Sequence, residues 1–328
     1  MGKRFKVKNK EKLFVSFLKI IVLLVAIGIA IYFIFGPRGN KKIESVAEEK
    51  TDIAEQNVEE VNEEKEEVVE TTTQTSQNKN KKIDFLANVD TPLYKKDEKN
   101  IKIPVLIYHC FRTPIPEEQD IYKLFSSEEN FEENVTTMLD DGYTFITFEE
   151  LYKYDKGEIG LPEKVAIISI DDGQVGCYTD AFPVVKKYNV PVTIFIVNTL
   201  VGTEDYFSWE EAKEMYDTGL VKIHCHGYKH SAYDKESKET VISDYTKSHQ
   251  EIEEHMGEKI QKMMAYPAGK SNANTVKWLK EIGFEIQVQT RYGTVENTKT
   301  LDLTNIGRIR AERATGKQLL NTINAAKI

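Results

Sequence analysis

Two short segments of this chain carry residue types that can do chemistry together. The stretch His224-Cys225-His226-Gly227-Tyr228-Lys229-His230 holds three of the six histidines of the chain within seven residues. His226 and His230 are four residues apart, a spacing that can set two imidazoles around one ion in a helical turn or tight loop. With one carboxylate they make a His-His-Asp set, a normal ligand set for a catalytic divalent ion that keeps positions open for water. Such a carboxylate is on offer in the second segment. There a largely apolar run, Val165-Ala166-Ile167-Ile168-Ser169-Ile170, delivers Asp171, Asp172 and Gly173 to a loop. Asp-Asp-Gly by itself reads as a turn. Beside a histidine cluster at another strand end, it reads as the other half of a site.

The elements that must position these residues alternate. Apolar, β-branched runs predict strands at Pro104–Tyr108, Thr144–Phe148, Val165–Ile170, Val192–Val197, Val221–Ile223, Met263–Tyr266 and Phe284–Val288. Helical patterns lie between them, over Glu128–Leu139, Tyr178–Tyr188, Ser208–Thr218, Glu239–Met256 and Asn274–Ile282. Ser208 and Glu211 have the spacing of a capping box. Gly219, Gly257 and Gly283 stand where helices should stop. Alternation of this kind predicts an α/β fold with a parallel sheet. His109, Asp171, Asp172, His226, His230 and the turn Tyr266-Pro267-Ala268-Gly269 all fall at or just past strand C-terminal ends. In a (β/α) barrel those ends share one face, so the expected architecture is a distorted barrel of about seven strands.

With these residues in view, the chain from about residue 101 resembles carbohydrate esterase family four, the polysaccharide deacetylases. That family's Thr-Phe-Asp-Asp-Gly motif is matched by Ser169-Ile170-Asp171-Asp172-Gly173, and its His-x-x-x-His loop by His226 to His230. The resemblance implies that Asp171 is the general base and that Asp172, His226 and His230 bind a divalent metal, zinc first, with cobalt, nickel and iron also suited. The motif Arg-x-Pro-Tyr-Gly is matched only in part by Ala265-Tyr266-Pro267-Ala268-Gly269. The backbone N–H of Ala268 is then the implied oxyanion donor, while Ala265 replaces the arginine that orients the base. The family's C-terminal catalytic histidine is missing too, since no histidine follows His255. Pro104-Val105-Leu106-Ile107-Tyr108-His109 looks like the first strand of a circularly permuted branch that includes the biofilm poly-N-acetylglucosamine deacetylases. By that resemblance His109 is the general acid, and Arg308 or Arg310 supplies the missing arginine. A surface strand with alternating basic residues reads Gly307–Arg310 equally well.

Other candidates have plainer readings. Cys225 should pack, pointing away from His226, and His224 is a spectator or supports the site from behind. Trp209 lines a sugar cleft or belongs to the core, and His249 and His255 should be solvated on a charged helix. Three cysteines do not make a disulfide framework.

The first hundred residues differ in character. Residues 1–12 are basic, and Leu13–Phe35 is apolar apart from Ser16 and Lys19, long enough to span a bilayer as a helix over 13–36. The basic flank places the N-terminus in the cytoplasm. The run ends on bulky residues, which favours a retained anchor over a cleaved signal peptide. From Glu44 to Glu70 there are twelve acids against two lysines. Residues 37–99 therefore read as a disordered acidic linker, and 100–328 as the catalytic domain. The expectation is a single-pass membrane protein with a monomeric extracellular domain acting on an N-acetylated polysaccharide, biofilm polymer or peptidoglycan. The net charge of −9 gives no sign of nucleic-acid binding. The competing expectation is a catalytically impaired carbohydrate-binding domain of the same fold. A His-Glu-x-x-His peptidase helix is not present.

Overall fold

The computed structural model describes residues 82–112, 124–312 and 314–327. The expected anchor over 13–36, and the linker as far as residue 81, lie outside them. Among the described residues no helix is long and apolar enough to cross a membrane.

The strands of the main sheet are β1 (Val105–Tyr108), β2 (Thr144–Phe145), β3 (Val165–Asp172), β4 (Val192–Ile196), β5 (Val221–Cys225), β6 (Met263–Ala265), β7 (Ile286–Tyr292) and β8 (Ile306–Arg310). They lie in the order β1-β8-β7-β6-β5-β4-β3-β2, and every pairing is parallel. A further pairing sets Val105 opposite Ile167 and Tyr108 opposite Ile170, joining β1 to β3. The ring therefore closes with seven strands, and β2 attaches outside it at the start of β3. Helices α1 (Glu128–Asp140), α2 (Phe148–Asp155), α3 (Phe182–Tyr188), α4 (Trp209–Asp217), α5 (Lys238–Met256), α6 (Ala273–Glu281) and α7 (Gly316–Ala325) complete the alternation.

Period-two alternation along each strand sorts the core into two layers. Val105, Ile167, Phe195, Met263, Val288 and Ile306 cluster inside the ring with Phe148, Leu151 and Tyr154 of α2. Their neighbours Leu106, Ile168, Ile194, Ile223, Met264 and Ile309 face outward under the helices. Helix α2 thus forms the floor of the ring at the strands' N-terminal ends, which leaves their C-terminal ends as the open mouth.

Several boundaries differ from the expected ones for identifiable reasons. The strand expected over Thr144–Phe148 stops at Phe145 because Thr147 and Glu150 close a capping box that starts α2. The capping box at Ser208 and Glu211 forms as expected. The strand expected over Phe284–Val288 begins at Ile286 and runs on to Tyr292. Residues 82–99, read as linker from their polarity, pack on the floor. Leu86 is buried there, and Tyr94 exchanges backbone hydrogen bonds with Leu161.

The seam between β5 and β6 is the weakest in the ring, with Cys225 opposite Met264 as its register pair. Side chains bridge it instead. The His226 ring meets the Ala265 carbonyl at 3.0 Å, and the Tyr245 hydroxyl donates to the same oxygen at 3.3 Å.

Candidate active site

The inward-facing positions of β3 are Val165, Ile167, Ser169 and Asp171, so alternation carries the Asp171 carboxylate to the mouth at 1% exposure. Asp172 would point outward on a regular strand. Its φ of 73° turns the chain and presents a second carboxylate to the same mouth. His230 (φ 57°) and Ala268 (φ 49°) also occupy the left-handed region. Two of these residues, Asp172 and His230, meet at 3.4 Å, and backbone strain of this sort concentrates where a site over-determines it.

His226 follows β5 and is buried. Its Nδ1–H donates to the Ala265 carbonyl, which leaves Nε2 to face the mouth. Nε2 stands 3.4 Å from Asp172 Oδ1, and His230 Nε2 stands 3.4 Å from the same oxygen. Asp172 Oδ1 is buried without a hydrogen-bond partner, and such an atom calls for one. One atom each from Asp172, His226 and His230 lies within 4.8 Å of the others. A fixed tautomer, a free Nε2 and an orphaned carboxylate oxygen fit a divalent cation. Burial holds the His226 pKa below the usual imidazole range, as a neutral ligand requires. Burial would raise the pKa of Asp172, but the surrounding imidazoles outweigh it and hold it well down.

Asp171 is gripped from β8, on the side away from β5. Arg308 donates from its two terminal nitrogens to Oδ1 and Oδ2, each at 2.7 Å, with Arg308 at 0% exposure. Its Nε donates to the Gln289 carbonyl at 2.8 Å. Burial would raise the Asp171 pKa, but the Arg308 charge and then His226 outweigh it, so the carboxylate stays ionised. Of the two arginines that the resemblance offered, Arg308 makes this contact. Arg310 turns to Glu312 at 3.2 Å. The surface-strand reading of this segment does not hold, because residues 306, 308, 310 and 312 alternate onto the inner face.

His109 lies just past β1, and its Nδ1 meets Glu312 Oε1 at 2.7 Å. Burial would lower its pKa, but the Glu312 hydrogen bond and the charges of Asp171, Glu312 and Asp172 raise it above the ordinary value. Glu312 was not singled out from the sequence. Its signal was its place two residues beyond Arg310 on the alternating face. Ala268 is exposed within the turn Pro267–Gly269, next to β6.

The polysaccharide deacetylase family pattern matches residues 158–287. Over 222 residues the chain is 31% identical to the poly-beta-1,6-N-acetyl-D-glucosamine N-deacetylase of Staphylococcus aureus, a match covering 61% of this chain and 75% of that one. The chain belongs to the polysaccharide deacetylase family. Its fold is similar to that of the Streptococcus pyogenes deacetylase PplD in complex with acetate, with a TM-score of 0.63 at 24% identity over 69% of this chain and 99% of that one. IcaB from Ammonifex degensii superposes with a TM-score of 0.59 at 25% identity, over 72% of this chain and 100% of that one.

The remaining candidates of this polysaccharide deacetylase sit away from the mouth. His224 is one inward position closer to the floor than His226, and its Nε2 meets Glu149 of α2 at 3.0 Å. Cys225 faces outward, and burial pushes its thiol up to about 12, so it is no thiolate ligand. All three cysteines are buried, and none is in a disulfide. Trp209 packs against the outer core layer and stacks on His255 at 3.9 Å. The expectation of a solvated His249 is wrong. It shares the buried face of α5 with Tyr245, Ser248 and Ile252, and its Nε2 pairs with Glu253 at 3.2 Å.

Proposed function

We propose that this chain hydrolyses N-acetyl groups from an N-acetylglucosamine-containing polysaccharide outside the cell, with metal dependence. The observation that carries the reading is the pairing of two oriented groups around one ligand set. Asp171 is held ionised by Arg308, and His109 is held by Glu312, while Asp172, His226 and His230 converge between them.

A divalent ion held by Asp172, His226 and His230, zinc first, would supply Lewis acidity toward the acetyl oxygen and lower the pKa of a bound water. Asp171 accepts the proton of the attacking water as general base. Arg308 keeps that carboxylate charged and fixes its plane. The Ala268 N–H donates to the oxygen of the acetyl carbonyl as negative charge develops on it. His109, protonated and oriented through Nδ1 by Glu312, gives its Nε2 proton to the amine nitrogen. An amine leaves poorly without that proton, so the acid is as necessary as the base.

The substrate assignment follows the relative whose name states poly-β-1,6-N-acetylglucosamine, with peptidoglycan as the other polymer to test. The apolar run over 13–36 supports a membrane anchor with a cytoplasmic N-terminus, and the acidic stretch after it supports a spacer. The first described residues meet the fold at its floor, where Leu86 packs beside α2.

The test is acetate release from oligomers of both polymers, with and without chelator and with defined metals restored. Metal-dependent release from the β-1,6 polymer is the expected result. No release from either polymer, with oligosaccharide binding retained, would favour the impaired carbohydrate-binding domain.

A further inference from the structure

The two imidazoles of the proposed metal site are held very differently. His226 is fixed by its strand: its N–H donates to the Ile196 carbonyl at 2.8 Å, and its ring is tied to Ala265 at 3.0 Å. The His230 side chain is 42% exposed and reaches Asp172 at 3.4 Å. Its place in space therefore follows the course of the loop that leads from His226.

That loop is gripped from α5. Asp244 Oδ1 accepts the Tyr228 N–H at 2.6 Å, and the same oxygen accepts the Tyr233 hydroxyl. Tyr233 is fully buried. Its hydroxyl lies so close under the loop that a Cβ on Gly227 would come within 2.3 Å of it, and Gly227 itself has a φ of 78°. The Tyr228 carbonyl accepts the Thr199 N–H at 3.1 Å, and Lys247 of α5 lies 3.9 Å from the Tyr228 ring centroid. A single carboxylate oxygen thus joins the loop to the phenol it rests on, between the two proposed ligands in sequence.

We propose that Asp244 is a positioning residue for the metal site, setting the His226-to-His230 loop so that both Nε2 atoms meet Asp172. Asp244 touches neither ligand ring nor substrate. It lowers the ordering that metal binding would otherwise require, and its loss appears first in metal affinity. This inference rests on the metal-site reading given above, and its test separates the two.

The experiment measures the zinc dissociation constant of the metal-free protein by competition with a chromophoric chelator. Wild type, Asp244→Ala, Asp244→Asn, Tyr233→Phe and His230→Ala are compared. Outer hydrogen-bond partners of a metal site typically change affinity by about 10–100-fold. Asp244→Ala is expected in that range, with its lost acetate release returning as zinc is raised. Asp244→Asn keeps an acceptor oxygen for both donors and should recover most of the affinity. Tyr233→Phe should fall between them, and it decides the matter if the alanine variant does not fold. Unchanged zinc affinity in folded Asp244→Ala, or in Tyr233→Phe, overturns the positioning role while leaving the metal site standing. Wild type that binds no more tightly than His230→Ala overturns both.

Discussion

Asp171 and Arg308 meet through two hydrogen bonds of 2.7 Å, across 137 residues of sequence and with neither side chain more than 1% exposed. The geometry is fork to fork, which fixes the carboxylate plane as well as its charge. The strand that carries Asp171 is separated from β8 in the sheet by β1 alone. The contact therefore crosses one strand of the inner wall, and Ser169 Oγ fills the space beneath at 3.3 Å from Arg308.

Removing one partner of a buried pair leaves the other charge uncompensated, at a cost of about 3–5 kcal/mol. Arg308→Met should lower the urea midpoint accordingly and abolish acetate release. Arg308→Lys keeps the charge but not the fork, so it should recover stability in part and activity little. An Arg308→Met protein that matches wild type in urea and turns over normally would refute the pairing's role. Asp171→Asn should also end turnover, while its zinc affinity stays close to wild type.

Metal removal should act on stability as well as activity. A ligand that binds the folded chain at about 100 times its dissociation constant adds about 2.7 kcal/mol. Chelated protein should therefore melt at a lower temperature, and zinc should restore it. Asp172→Ala or His230→Ala should remove that zinc-dependent gain. Restoration of equal size in those variants would place the ion elsewhere.

The pH profile should show the His109–Glu312 contact directly. The pKa of His109 is raised, so the protonated acid persists above the ordinary histidine range and kcat/KM falls only as pH rises through the raised value. The stability from this pair follows the same sign. It is fully present below about 6.5, the unfolded histidine value, and fades as pH climbs through the folded one. Glu312→Gln removes the charge and keeps the shape, so its alkaline limb should move to lower pH. A limb that stays in place would assign it to another group.

What the sequence revealed of this site was what lies within a few residues of itself. The Asp171–Asp172 pair and the His226–His230 pair are local patterns at strand ends, and the fold brings them together as alternation implies. The Arg308 and Glu312 partnerships join residues 137 and 203 positions apart, and no local spacing encodes those distances. The inner face of β8 was legible only through period two, and basic residues on a short strand suggest solvent equally. His249 misled for a related reason. The charged composition of α5 hid a buried stripe through Val241, Tyr245, Ser248, Ile252 and Met256, to which His249 is adjacent. Residues 82–99 look like linker because their apolar residues are few, Leu86 buried and Ile83, Phe85, Val89 and Tyr94 partly so, and the lysines and acids after them dominate the composition.

Ala268 gives the sharpest separation of backbone from side chain. Its φ of 49° lies where a Cβ is penalised by about 1–2 kcal/mol, and its side chain is exposed. The proposed oxyanion donor is its N–H alone. Ala268→Gly should therefore keep acetate release within about twofold and leave the melting temperature unchanged or slightly higher, because glycine relieves the strain while adding unfolded-state freedom. The neighbouring Gly269 is the contrasting case. A Cβ there would come within 1.8 Å of Thr290 Oγ1 at a φ of 64°, so Gly269→Ala must shift the turn and carry the Ala268 N–H with it. Large loss of turnover in Gly269→Ala, with zinc affinity kept and Ala268→Gly fully active, is the pattern expected of a backbone donor. Loss of turnover in Ala268→Gly would instead give the methyl group a role of its own.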